Sequence, residues 1–225
     1  LIHLRRLASP EPLEYQCRSW MRGGLTYWWF HILISWLFRS SLFIVHHVPH
    51  QANPLADLAP AFEKGCLVLL PSKSTDKYLQ PALAVAMDSR DWERIALLRR
   101  SRFLLLGFGV MAFNILIFCV GDHILELYGS QYTTSYAELC LISLGSSMWT
   151  MFSLAPTVLL FTDQRRSLLS SLVVHALLMF LLTSWLFVGY GALGVACAYT
   201  IAISSFSICN FILANQHLAR LRALQ

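Results

Sequence analysis

The stretch DSRDWERIALLRRSRFLLLGFGVMAFNILIFCV, residues Asp88–Val120, joins two segments of opposite character. Its first 15 residues carry eight charged side chains, and the 18 residues that follow carry none. An uncharged apolar run of about 18 residues is typical of a transmembrane helix. The five arginines that precede the run indicate the side of the membrane from which this helix starts.

The composition of the whole chain also indicates a membrane protein. Of its 225 residues 56% are hydrophobic and 13% are charged, and the mean hydropathy is +0.57. Soluble domains contain about 25% charged residues. We therefore expect the apolar surface of the protein to contact the lipid bilayer. We attribute the net charge of +5 to the basic residues that orient the protein in the membrane, and we expect no nucleic-acid partner. The six cysteines form no C-x-x-C pair and indicate neither a disulfide framework nor a cofactor.

Six segments are candidates for membrane-spanning helices, so the expected fold class is an all-α, polytopic bundle. They cover residues 25–48, 57–80, 103–120, 139–161, 168–188 and 193–213. The bundle then occupies residues 25–214, between a cytoplasmic lead-in segment (1–24) and a cytoplasmic tail (215–225). The second segment is the least hydrophobic, and its polar groups would have to face protein or water. The lead-in lacks the apolar core of a signal peptide, and we expect the numbering to begin inside a longer chain.

The positions of lysine and arginine provide an independent test of this count. Fifteen of the 17 basic residues fall on one side of the predicted membrane, when Lys73 and Lys77 at the end of the second segment are counted with the loop that follows, and only Arg39 and Lys64 do not. Cytoplasmic segments of membrane proteins carry the excess of basic residues. Without the second helix, the stretch Asp88–Arg102 would move to the opposite side of the membrane. The charge pattern therefore favours six helices with both termini cytoplasmic, and we expect this stretch to form a short helix at the membrane surface.

Arg39 is the most informative polar residue, because it lies deep inside the first predicted helix. At helical spacing it shares one broad stripe with His31, Ser35 and His46. Charged residues within spans usually face a bundle interior or a water-filled cavity. Arg39, His31 and Ser35 are therefore candidates to contact a transported substrate. The alternative is that Arg39 snorkels towards the surface or pairs structurally with an acid such as Glu63.

The second predicted helix contributes further candidates for the same cavity. Lys73, Asp76, Lys77 and Gln80 fall on one face at helical spacing. They would line the cytoplasmic mouth of the cavity. The alternative places them at the level of the lipid headgroups, with the lysine stems snorkelling.

Polar and small residues in the later helices predict contacts between helices. Asn114 is expected to form a hydrogen bond across the bundle, and Pro156 is expected to bend the fourth predicted helix. Gly194, Ala198 and Ala202 form a ridge of small residues at every fourth position. Such a ridge is typical of closely packed membrane helices.

The sequence favours transport over catalysis. It contains no G-x-S-G, no H-E-x-x-H and no P-loop. His175 would be the candidate base of a membrane acyltransferase, although a lone histidine in a span is more often a hydrogen-bond partner of another helix. The histidines of HHVPH, His46–His50, have no carboxylate or cysteine close in sequence, so we expect no metal site. We therefore expect a protein that is not an enzyme.

Four stretches resemble one family of membrane transporters. RSWMRGGLTYWW (18–29) is similar to the basic, tryptophan-bearing segment that leads into the seventh helix of bacterial polysaccharide flippases. LQPALAVAMDSRDWERIALLRRSRFLLL (79–106) resembles their segment after the eighth helix. ILELYGSQYTTSYAELCLISLGS (124–146) and GYGALGVACAYTIAISS (189–205) resemble the approach to the tenth helix and the opening of the twelfth. Nearly the whole chain is thus similar to the C-terminal six-helix lobe of a twelve-helix member of the multidrug/oligosaccharidyl-lipid/polysaccharide exporter superfamily, with the O-antigen flippases as the best fit.

This resemblance implies a function and a location. Such flippases move polyprenyl-pyrophosphate-linked oligosaccharides across the bacterial inner membrane for O-antigen, capsule or exopolysaccharide synthesis. Two six-helix lobes rock around a central cavity, in which cationic residues attract the pyrophosphate. Arg39 would be such a residue here. The N-terminal lobe is missing, so we expect it on the same longer chain or on a separate protein. The alternatives are another cargo on this scaffold, such as a peptidoglycan precursor or a drug, and a truncated fragment that does not transport.

Overall fold

A computed structural model describes residues 17–47, 54–162 and 164–223, and these form helices joined by short turns without any strand. The first three α-helices are α1 (Cys17–His47), α2 (Pro54–Gly65) and α3 (Leu69–Asp88), and the 3₁₀ turn Cys66–Val68 connects α2 to α3. They are followed by α4 (Trp92–Glu126), a second 3₁₀ segment (Ser130–Ser135), α5 (Tyr136–Phe152) and α6 (Leu154–Phe161). The remaining helical stretch covers Arg165–Ala223.

This last stretch folds back on itself at Gly191. A straight α-helix of 59 residues would be about 88 Å long. The backbone of Gly191 has φ 56° and ψ −134°, a non-helical conformation that glycine adopts far more readily than other residues. Asn210 Nδ2 donates to Ser171 Oγ at 3.4 Å, which places the two halves side by side. We therefore describe them as two helices, α7 (165–190) and α8 (192–223).

Gly194 allows α7 and α8 to approach closely beside the turn that joins them. A Cβ atom at this position would lie 2.2 Å from the carbonyl oxygen of Leu186, so a larger residue would push the two helices apart. Ala198 and Ala202, further along α8, are fully buried. The expected ridge of small residues therefore lies at a packed surface.

Within the described part of the chain, four helical regions are long and apolar enough to cross a membrane. They are Tyr27–Val45, Trp92–Glu126, Ser130–Phe161 and Arg165–Ala223. This result supports a helical membrane protein but does not reach the count of six. The fifth and sixth predicted segments belong to one region that is interrupted at Gly191. The second predicted segment, 57–80, is distributed over α2, the 3₁₀ turn and α3, where charged residues lower the hydropathy.

The charged stretch before Phe103 does not form a separate surface helix, and that expectation was wrong. Asp91 caps the N-terminus of α4, since its carboxylate oxygen accepts from the backbone N–H of Arg94 at 3.0 Å. From Trp92 the helix continues without interruption for 35 residues, which is about 52 Å. The first three turns therefore extend the third predicted span.

A bend was expected at Pro156, and the structure shows an interruption of the helix three residues before it. The helix is interrupted at Ser153, between α5 and α6. Proline has no N–H to donate to the carbonyl four residues earlier, and its ring collides with that carbonyl. For Pro156 the residue concerned is Phe152, where α5 ends.

The surface of the bundle is apolar along α4 and α7. Phe108, Leu105 and Leu181, for example, are 72%, 65% and 63% exposed. The core instead contains several buried polar side chains, among them Arg102 and Asn114. Soluble proteins rarely expose apolar surfaces of this extent, so this distribution is typical of a helical bundle surrounded by lipid.

Candidate functional site

Helix α1 presents two different faces. Phe30, Ile34 and Leu37 are buried in the core, whereas His31 and Ser35 lie on an exposed face together with Arg39. The stripe inferred from helical spacing is therefore a surface of the described bundle. His46, the fourth residue of the stripe, has a side chain that lies outside the described part of the structure.

Arg39 makes no hydrogen bond or ion pair with any other described residue. Glu63, its possible structural partner, instead contacts Lys64, with 3.0 Å between carboxylate oxygen and Nζ. Arg39 lies three residues from the middle of the apolar segment Tyr27–Val45, or about 4.5 Å along the helix axis. The guanidinium is thus an exposed charge near the centre of an apolar helix.

Helix α3 divides its polar residues between two surfaces. Lys73 and Lys77 are exposed, in agreement with a place on an open face. Asp76 and Gln80 turn towards the neighbouring helices, where Gln80 Nε2 donates to Thr157 Oγ1 at 3.3 Å. The expectation that all four residues share one cavity-facing surface was therefore wrong for Asp76 and Gln80.

Asp76 forms a buried ion pair with Arg102 of α4. Arg102 Nη2 lies 2.6 Å from Asp76 Oδ1, and the two side chains are only 2% and 16% exposed. Ser153, at the break between α5 and α6, accepts from Arg102 at 2.6 Å and donates to Asp76 Oδ2 at 3.2 Å. The carbonyl of Met151 accepts a longer bond of 3.5 Å from Arg102. Three helices are thus joined at one buried polar cluster.

Arg102 was not recognised from the sequence as a buried residue, because it belongs to a run of basic residues that pointed to a loop. A signal was nevertheless present. Once α4 begins after Asp91, Arg102 lies seven residues after Ile95 and four before Leu106, and both are buried apolar residues. Positions separated by four and seven lie on the same face of a helix. The periodicity therefore places Arg102 on the inward stripe.

A second polar cluster lies where the 3₁₀ turn interrupts the α2–α3 segment. Thr150 donates to the carbonyl of Val68 at 3.0 Å, which satisfies an acceptor at the interruption. Cys66 lies 3.5 Å from Ser146 and 3.6 Å from the hydroxyl of Tyr199. Ser146 and Tyr199 are themselves 2.9 Å apart. These hydroxyl groups fix the interrupted segment against α5 and α8.

The hydrogen bond expected for Asn114 is present. Its amide nitrogen donates to Ser147 Oγ at 2.7 Å, and Ser143 Oγ donates to its amide oxygen at 2.9 Å. Both serines lie on α5, so the contact joins α4 to α5. In an apolar environment such satisfied polar groups hold helices in register.

His175, the candidate base of an acyltransferase, is buried in α7. Its Nδ1 lies 2.7 Å from the carbonyl oxygen of Ser171 in the same helix. The ring packs edge-on against Phe206 of α8, with 5.4 Å between ring centroids. The hydrogen bond is therefore local to α7, and the contact with α8 is made by the ring rather than by a ring nitrogen.

Among the described residues, no three His, Cys, Asp or Glu side chains lie close enough together to hold a metal ion. Val45 is the last residue of α1 whose side-chain environment is described, so the possible metal ligands His46–His50 cannot be placed on any surface. Comparison with known proteins finds no family model, no curated protein and no solved structure that matches this chain. The exposed cations Arg39, Lys73 and Lys77 are therefore the residues of α1 and α3 that could contact an anionic ligand.

Proposed function

We propose that this chain is one six-helix lobe of a bacterial inner-membrane transporter that moves polyprenyl-pyrophosphate-linked oligosaccharides between leaflets. The cargo would serve O-antigen, capsule or exopolysaccharide synthesis. A second lobe, on the same longer chain or on a separate protein, would complete the central cavity. The role is transport without covalent change of the cargo, so the chain would not be an enzyme.

A six-segment topology is supported by two of the interruptions in the fold, at Gly191 and at the 3₁₀ turn Cys66–Val68. Gly191 divides the longest apolar region into α7 and α8, which supplies two segments that lie side by side. The hydropathy of the α2–α3 segment is too low to identify it as a membrane span. Its 3₁₀ turn nevertheless packs against the bundle through contacts with Thr150, Ser146 and Tyr199. Interrupted helices are tolerated at membrane depth where protein surrounds them. With α1, α4 and α5–α6 there would be six segments, which would put both termini on one side of the membrane, and the distribution of basic residues favours the cytoplasmic side.

The observation that carries the proposal is Arg39 near the middle of α1, which is exposed and has no ion-pair partner among the described residues. Placing an arginine at the centre of a membrane helix costs roughly 2.5 to 3.5 kcal/mol on insertion scales. This cost is reduced where the guanidinium faces a water-filled cavity or an anionic ligand. A pyrophosphate group offers several oxygen acceptors to the planar guanidinium. Lys73 and Lys77, exposed on α3, would add positive charge along the path of the same anion.

The proposal is tested by complementation in a strain whose surface polysaccharide depends on this protein. Arg39→Ala should reduce polysaccharide display by at least tenfold, because the main cationic contact inside the membrane is lost. Arg39→Lys should retain part of the display, since the charge remains but the two-pronged geometry does not. The matched control is Arg100→Ala, which removes an exposed arginine at the end of the bundle and should leave display unchanged.

Equal display by wild type and Arg39→Ala, at equal protein levels in the membrane, would contradict a pyrophosphate-binding role. Export of a cationic drug that is insensitive to Arg39→Ala would favour a different cargo on the same scaffold. If deletion of the chain leaves both surface polysaccharide and drug resistance unchanged, the chain is a fragment that does not transport.

A further inference from the structure

A cleft of about 520 Å³ opens at the end of the bundle where α3 stops and α4 starts. The end of α3 and the following turn contribute Met87, Asp88 and Arg90, and Trp92 is the first residue of α4. Phe161 at the end of α6 and Leu218 near the end of α8 complete the lining. Clefts of roughly 300 to 1,000 Å³ are of the size that binds small molecules.

Asp88 and Arg90 give the cleft two opposite charges that take no part in the packing of the described helices. The side chains of Asp88 and Arg90 are exposed, and neither forms a hydrogen bond or ion pair with another described residue. The two residues are separated by a single position, yet they are not paired with each other. A ligand that carries an anion and a cation a few atoms apart could therefore contact both.

The backbone of Arg90 is held in a conformation that disfavours an arginine. Its φ is 54°, the left-handed region, and it is the one non-glycine residue with positive φ among the described residues. Its N–H donates to Met87 O at 3.2 Å, and the N–H of Asp91 donates to Ala86 O at 2.9 Å. These two bonds form the motif that ends many helices, in which glycine is the usual residue at this position. An L-residue there costs about 1 to 2 kcal/mol, so helix termination alone would be better served by glycine.

Apart from Thr162, the remaining walls of the cleft are apolar, and they lie close to the lipid-facing surface. Met87, Phe161 and Leu218 line the interior. Val85, three residues before Asp88, is 60% exposed, and Leu97 on α4 is 66% exposed. Leu97 lies about 7.5 Å further along the helix axis than Trp92. Tryptophan and arginine at such a boundary are typical of the headgroup region of a bilayer.

We propose that this cleft binds a phospholipid whose headgroup carries both a phosphate and a primary ammonium group. Arg90 binds the phosphate, Asp88 accepts hydrogen bonds from the ammonium, and the apolar walls contact the start of the hydrocarbon chains. Charge-assisted hydrogen bonds of this kind are the stronger ones in proteins. The site does not depend on the proposed transport function, because it requires only that the turn 89–91 lies at a membrane surface.

Binding is measured on the purified full chain by native mass spectrometry, with phosphatidylethanolamine, phosphatidylcholine and phosphatidylglycerol supplied in equal amounts. The wild type should retain phosphatidylethanolamine about tenfold better than either other lipid. Asp88→Asn should lower its retention to the level of phosphatidylcholine, because the acceptor for the primary ammonium is weakened. Arg94→Ala, which removes an exposed arginine one turn into α4 and outside the cleft, should change neither value.

Arg90→Gly separates binding from folding. Glycine relieves the left-handed backbone, so this variant should unfold at the same or a higher temperature than the wild type. It should nevertheless retain phosphatidylethanolamine about tenfold less well, whereas Arg90→Lys should keep part of the affinity. Unchanged lipid preference in Asp88→Asn or undiminished retention in Arg90→Gly would overturn the proposal. Displacement of the lipid by water-soluble phosphoethanolamine at equal concentration would also overturn it, because the ligand would then be a soluble headgroup compound.

Discussion

Removal of one partner from the buried pair Asp76–Arg102 should destabilise the bundle strongly and unequally. In Asp76→Asn the guanidinium of Arg102 remains charged, although the side chain is only 2% exposed. Its remaining acceptors in the wild-type cluster, Ser153 Oγ and Met151 O, are neutral. Its Nε has no partner among the described residues even in the wild type. Breaking a buried pair in this way costs about 3 to 5 kcal/mol.

The reverse change should cost less. Arg102→Met leaves the carboxyl of Asp76 without its cation, but this side chain is 16% exposed and keeps its bond from Ser153. A carboxylate can also become neutral by taking up a proton, whereas a guanidinium cannot. We expect a loss of about 2 kcal/mol. The double variant should lose less than the sum of the two, with a coupling energy of about 2 to 3 kcal/mol.

The free energy of unfolding is measured by titrating the purified protein in dodecylmaltoside micelles with SDS. Asp122→Asn and Arg100→Met provide matched controls at exposed positions and should change the stability by less than about 0.5 kcal/mol. Additive effects of the two single changes, or a loss below about 1 kcal/mol in Asp76→Asn, would refute the assignment of a buried, interacting pair.

Three further predictions concern the backbone, a polar contact and the topology. Gly191→Ala should lower the free energy of unfolding by about 1 to 3 kcal/mol, because the φ of 56° at this position disfavours alanine. Gly189→Ala, with open space around the added methyl group, should leave it nearly unchanged, and equal values for the two variants would contradict the turn between α7 and α8. Asn114→Leu should cost about 0.5 to 2 kcal/mol through the loss of two contacts with α5, and an unchanged stability would show that these hydrogen bonds contribute nothing. Accessibility tags inserted after Ser89 and Ser130 should report opposite sides of the membrane, and labelling of both tags from one side would exclude the proposed orientation.

Much of the architecture follows from one-dimensional patterns. The uncharged run Phe103–Val120 predicts an apolar helix, since a backbone in lipid must satisfy its hydrogen bonds internally. Pro156 predicts the interruption between α5 and α6, because proline lacks an N–H and its ring excludes the preceding carbonyl. Helical spacing predicts that His31, Ser35 and Arg39 share one face of α1, and all three are exposed together. These features depend on residues near one another in the chain, so the sequence is sufficient to locate them.

The charged stretch before Phe103 shows where this reasoning fails. Because Arg102 belongs to a run of basic residues, it was expected at the surface. It lies seven residues after Ile95 and four before Leu106, however, which places it on the same buried face of α4. The identity of its partner could not be read in the same way, because Asp76 and Ser153 are distant in sequence and meet only through the crossing of three helices. The same applies to Tyr199, whose contacts with Cys66 and Ser146 depend on how α8 lies against α5.

The sequence by itself determined that this chain is apolar and helical, and which stretches form most of its apolar helices, because hydropathy and proline act locally. The tertiary structure decided which polar groups are hidden and which are open. It turned Asp76 inwards towards Arg102 and left Lys73 and Lys77 exposed on the same helix. It also left the side chains of Asp88 and Arg90 without a hydrogen bond or ion pair to another described residue, at a cleft whose other walls are mainly apolar. The physical reason is that a buried charge is tolerated only where another helix supplies its counter-charge, and the position of that helix is a property of the packed bundle.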